Sequence, residues 1–157
     1  MGNEFRGDDG FGSLLIKNLK NHFSNDHLKK RNVILVNGSS APENFTGQII
    51  KENPTHILIV DALLTNKQSR SEINNTQKIK TKGKILNINE DEIFRYNSST
   101  HSTSLSFLIK YLSTNIDFKV FILGVEVKSM NLGEYLTEET KNNLDELQNI
   151  LIKVLED

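Results

Sequence analysis

Residues 56–64 read HILIVDALL, and the middle of this run constrains the fold more than any other part of the chain. Ile57, Leu58, Ile59 and Val60 are four consecutive apolar residues, three of them β-branched, followed at once by Asp61. A continuous apolar run of this length suits a strand of a parallel sheet covered on both faces. The flanking segments agree. Phe11, Leu14, Leu15, Leu19 and Phe23 recur at helical spacing over about residues 10–24. NVILVNG (32–38) reads as a short strand entering an Asn-Gly turn, and APENFTGQIIKENP as a weaker helix stopping near Pro54. KILNINEDEIF (84–94) carries a short strand. LSFLIKYL places Leu105, Leu108, Ile109 and Leu112 on one helical face, and FKVFILGVEV (118–127) is a strand. Thr137 is the N-cap of a last helix whose expected buried face is Leu144, Leu147, Leu151, Val154 and Leu155. The polar stretches 65–83 and 95–104 read as loops. Alternation of this kind predicts a three-layer α/β/α sandwich around a mostly parallel sheet.

The 157 residues fit a single domain, 1–157, large enough for its own core. A formal charge of -1 gives no basic field for nucleic acid. The absence of cysteine excludes a disulfide scaffold, a thiolate metal site and a cysteine nucleophile, and fits a reducing compartment. No apolar run approaches the ~20 residues of a membrane span. The expectation is a cytoplasmic monomer without membrane insertion.

Three places carry potential chemistry. GNEFRGDDGFG (2–12) holds four glycines and the adjacent pair Asp8 and Asp9. It is not a G-x-G-x-x-G loop, and two carboxylates at a helix N-terminus would repel a phosphate. One aspartate capping the helix is one reading; that leaves the second without a role, and a carboxylate facing a crevice would bind a cation. Asp61 falls towards the carboxyl end of its strand, where open α/β sheets bind ligands. There it is either bonded to loop amides or coordinating. His101, in NSSTHSTS, is either an exposed residue near a helix start or a ligand. Taken together, one aspartate of the Asp8–Asp9 pair, Asp61 and His101 form a mixed oxygen and nitrogen donor set that suits divalent first-row metals, nickel and zinc included. With no cysteine and no G-x-S-x-G elbow, a covalent intermediate is disfavoured.

GNEFRGDDGFG, ILIVDAL and STHSTSLSFLIKYL, in that order, resemble the hydrogenase maturation endopeptidases, as do FILGVEV and LGEYLTEETKNNL near the end of the chain. The resemblance covers nearly the whole sequence. It implies a five-stranded sheet of order 2-1-3-5-4, with strand 4 antiparallel. The implied activity removes a C-terminal extension from the precursor of a nickel–iron hydrogenase large subunit after nickel insertion. Nickel is then carried by the substrate as a recognition mark, and the positions that contact it fall on Asp9, Asp61 and His101. Asp8 becomes a helix cap or a residue behind the site. One departure is sharp: Met1 stands where the family has its first, central strand, so the expectation is a chain whose true start lies a few residues upstream. Two other functions compete. A non-catalytic nickel-sensing maturation chaperone would use the same three residues, and a nucleotide-binding module would use the glycine loop.

Overall fold

The computed structural model describes residues 1–64, 85–88, 102–127 and 129–157. A 3₁₀ turn, Gly7–Gly10, runs directly into α1, Phe11–His22. Phe11, Leu15 and Leu19 recur every fourth residue and are buried in one stripe, with Phe23 beyond them. A short helix that hydrophobic spacing did not reveal follows, α2, Asn25–Lys30, capped by the Ser24 hydroxyl, which accepts from the His27 N–H. A second 3₁₀ turn leads into α3, Thr46–Glu52, which ends at Asn53 in the left-handed conformation just before Pro54.

Three strands form the described sheet: β1, His56–Leu64; β2, Ile85–Ile88; and β3, Lys119–Val127. Their order is β1-β3-β2, with β1 parallel and β2 antiparallel to β3. This is the 3-5-4 part of the expected order, including its antiparallel strand. Two further helices complete the layers, α4, Ser102–Ser113, and α5, Glu138–Glu156.

Strand alternation divides the core in two. Val60, Ala62, Leu123, Val125 and Val127 face α1 and α5, whose Phe11, Leu15, Leu144 and Leu147 cover them. Ile59, Leu63 and Ile122 face α4, which meets them with Leu105, Leu108, Ile109 and Leu112. The expected three layers are therefore present, with Asp61 on the α4 side by its parity with Ile59 and Leu63.

Two expectations need correction. Residues 33–38 form no strand. A strand needs a hydrogen-bonding neighbour along its length, and here only Met1 and Gly2 bridge towards β1. The Met1 ammonium donates to the Val60 carbonyl, and the Gly2 N–H donates to Ser39 O at 2.8 Å. Beside them lies an apolar cleft of ≈ 110 Å³ lined by Met1, Val36, Ile57, Val60 and Leu112 among others. On α5, Val154 is exposed rather than buried, and Ile152 packs against the core instead. The expected loop 65–83 and residues 95–101 of the expected loop 95–104 lie outside the described residues, while 102–104 are not loop but the first turn of α4.

Candidate active site

The 3₁₀ turn brings both aspartates under cover: Asp8 is 0% and Asp9 2% exposed. Neither caps α1. The N-cap position is Gly10, which has no side-chain cap, so the capping expectation fails. The turn needs an unusual backbone, with Gly7 at φ +56, where a side chain would be strained. It sends the two carboxylates to different partners.

Asp8 turns towards the start of α5. Its Oδ1 accepts the Thr137 N–H at 2.7 Å, and its Oδ2 accepts the Thr137 hydroxyl at 3.1 Å. Asp9 stays on the α1 side, where its Oδ2 accepts the Asn3 N–H at 2.9 Å. Its Oδ1 is buried and has no hydrogen-bond partner among the described residues. A buried carboxylate oxygen in that state is costly unless a cation or donor arrives.

Asp61 comes from β1 and is 2% exposed. It lies inside the strand rather than at its end, three residues before Leu64. Its register partner on β3 is Gly124, so no neighbouring side chain crowds it from that strand. Both carboxylates act through their charge on the α-ammonium of Met1. Burial pushes that ammonium below its ordinary value, while the charges of Asp61 and Asp9 pull it back up.

His101 lies outside the described residues. Its neighbour α4 begins one residue later, and Leu105 on that helix packs against Ile59 and Leu63, on the face of β1 that carries Asp61. Among the described residues no set of three histidine, cysteine or acidic side chains gathers as a metal site. Of the three expected residues the structure describes two, Asp9 and Asp61, each buried on its own element.

The pair of buried acids on a glycine turn and a central strand can now be set beside known proteins. Residues 14–154 match the family model described as hydrogenase maturation protease. The chain belongs to the hydrogenase maturation protease family. Within it, the chain is 34% identical over 159 residues to a candidate hydrogenase maturation protease of Methanocaldococcus jannaschii, covering 100% of this chain and 86% of that protein. It is 30% identical to the Hydrogenase 3 maturation protease of Escherichia coli K12, over 92% of this chain and 81% of that one. The crystal structure of the [NiFe] hydrogenase maturation protease HycI from Thermococcus kodakarensis superposes with a TM-score of 0.71. That match covers 99% of this chain and 88% of the other, at 22% identity, and so speaks for the fold. This maturation protease is accordingly a peptidase of mixed α/β architecture. Among its described residues no helix is long and apolar enough to cross a membrane.

Sequence reasoning missed Thr137 as a partner of the aspartate pair. Thr137 is legible as a helix cap, but its contact with Asp8 spans more than a hundred residues and leaves no local pattern.

Proposed function

We propose that this maturation protease removes a C-terminal extension from the precursor of a nickel–iron hydrogenase large subunit once nickel is in place. Asp9, Asp61 and His101 contact the nickel, which belongs to the substrate and marks it as ready. Within the same proposal the enzyme is a cytoplasmic monomer acting on a protein partner. The observation that carries the reading is the Asp9–Asp61 pair: two buried carboxylates on separate elements, with Asp9 Oδ1 lacking a hydrogen-bond partner among the described residues. Such a pair suits a divalent cation, because the ion offsets the desolvation of both acids at once.

Two roles follow for these side chains. They can seat the substrate's metal as an anchor, which fixes the adjacent peptide bond in place. One carboxylate, relieved of part of its charge by the ion, can also take a proton from an attacking water. The metal itself would supply Lewis-acid polarisation of the scissile carbonyl.

The test is intact mass of a nickel-loaded large-subunit precursor before and after incubation with the protein, with nickel-free precursor alongside. Loss of a short C-terminal peptide from the loaded form alone is the expected result. Cleavage of both forms would remove nickel from the recognition step. Binding of the loaded precursor without any mass change would replace the peptidase by the chaperone reading.

A further inference from the structure

The Asp-Asp pair poses a question that the proposed reaction leaves open, because that reaction uses only Asp9. The other, Asp8, is fully buried and makes a dense set of bonds to a distant part of the chain. Besides the two bonds from Thr137, its Oδ2 lies 3.4 Å from the Ser129 N–H, and its own N–H donates to Ser129 O at 3.0 Å. The flanking backbone runs the same way. The Gly7 N–H donates to Glu134 O at 3.1 Å, and the Gly133 N–H donates to Phe5 O at 2.9 Å. Residues 5–8 are thus stitched to the connection between β3 and α5, and Asp8 is the buried carboxylate in that seam, beside Arg6, whose Nε donates to Met130 O at 3.3 Å.

Its position explains why a carboxylate is needed. Asp8 sits at the N-terminal end of a 19-residue helix, where backbone N–H groups favour a negative charge. The Thr137 hydroxyl has one proton. Donating it to Asp8 leaves the oxygen free to accept from the Thr140 N–H at 3.3 Å, so the same residue caps α5 and holds the turn. Asparagine in place of Asp8 has nearly the same shape but only one acceptor oxygen. If that oxygen keeps the Thr137 N–H, the amide NH₂ meets the Ser129 N–H, donor against donor.

We propose that Asp8 is a positioning residue: it locks the 3₁₀ turn to the start of α5 and thereby fixes the place of its neighbour Asp9. The inference rests on the assignment of Asp9 as a functional group. Asp8 touches no substrate in this scheme. It acts by fixing its neighbour, and a displacement of about 1 Å at a reacting centre can cost on the order of 100-fold in rate.

The experiment uses the full chain and the nickel-loaded precursor, and measures kcat and KM for Asp8→Asn, Thr137→Val, Thr137→Ser and Asp9→Asn. Rates are corrected for folded fraction by circular dichroism and thermal melting. Asp8→Asn and Thr137→Val are expected to lower kcat by about 10- to 100-fold with KM held within about twofold. The double variant should lose no more than the worse single one. Thr137→Ser keeps both bonds and should restore the rate. If Asp8→Asn and Thr137→Val lower the melting temperature but leave kcat per folded molecule unchanged, Asp8 is merely structural and the proposal falls. Should Asp8→Asn fail to fold, Thr137→Val, which keeps the carboxylate, decides the same question. Full activity of Asp9→Asn would instead overturn the assignment of the site, separately from the positioning argument.

Discussion

Gly12 and Gly47 make a matched pair of glycines, and replacing each by alanine isolates one physical quantity. Both are the second residue of a helix, α1 and α3 respectively. Each substitution therefore gains a similar helix propensity, up to about 1 kcal/mol. Their surroundings differ. A Cβ at Gly47 would meet nothing within 4 Å, whereas at Gly12 it would lie 2.3 Å from Met1 N, 2.4 Å from Met1 O and 2.6 Å from Val60 O. Ordinary contact begins at 3.4 Å, so α1 must retreat from the backbone of β1 by about 0.8 Å, the gap between 3.4 and 2.6 Å. Overpacking of that kind costs about 1–3 kcal/mol. Subtracting the shared propensity leaves this clash as the difference between the two variants. Gly47→Ala should be slightly stabilised, and Gly12→Ala should fall about 1–3 kcal/mol below it in urea unfolding. The function should divide the same way. Asp9 precedes α1 and Asp61 follows Val60 on β1, so pushing the helix off the strand separates the two acids. Cleavage of the loaded precursor by Gly12→Ala should drop by roughly 10- to 100-fold while Gly47→Ala keeps the wild-type rate. Equal stability and equal activity of the two variants would refute the close approach of α1 to β1.

Other expectations follow from particular residues. Asp9→Asn and Asp61→Asn should each abolish cleavage, and Asp9→Asn should leave the melting temperature unchanged or raised, because it removes a buried charge whose Oδ1 has no hydrogen-bond partner among the described residues; a large destabilisation by Asp9→Asn would mean that the acid serves folding. Phe11→Ala should cost about 3–5 kcal/mol in chemical unfolding, since Phe11 is 0% exposed against the β1 and β3 face; a loss under about 1 kcal/mol would show that the site collapses freely. Hydrogen bonds from the Ser129 hydroxyl and then the Asn131 amide hold the exposed Glu134 carboxyl below its ordinary value of 4.5. A lowered acid stabilises the folded loop above pH 4.5, and that contribution disappears as pH falls through the folded value. A carbon-detected NMR titration should find Glu134 below 4.5 and Asn131→Ala moving it upward; an unshifted Glu134 would contradict the bonding of this loop.

Much of the architecture is legible in local pattern. HILIVDALL becomes β1 over the same nine residues, and the stripe Phe11, Leu15 and Leu19 becomes the buried face of α1. Period-2 and period-3.6 repeats are properties of neighbouring residues, so they survive in the sequence. The short helix α2 escaped because six residues are too few to display a period. The segment 33–38 escaped differently: its residues favour extension, and extension becomes a strand only beside a partner. Val154 has the right spacing for burial on α5, yet it is exposed while Ile152 packs against the core.

The acids show the same division. Glycine spacing, the adjacent aspartates and an aspartate after an apolar run mark the Asp8–Asp9 pair and Asp61 without any coordinates, because a charge in a buried context is improbable without a purpose. Composition likewise excludes thiolate chemistry outright, since the chain has no cysteine. The roles within the pair needed three-dimensional contact. Asp8 and Asp9 are chemically identical neighbours, and nothing local distinguishes the one that binds α5 from the one that faces β1. That choice is made by the turn at Gly7 and by Thr137, more than a hundred residues away, and hydrogen bonds across such a distance depend on how the layers stack.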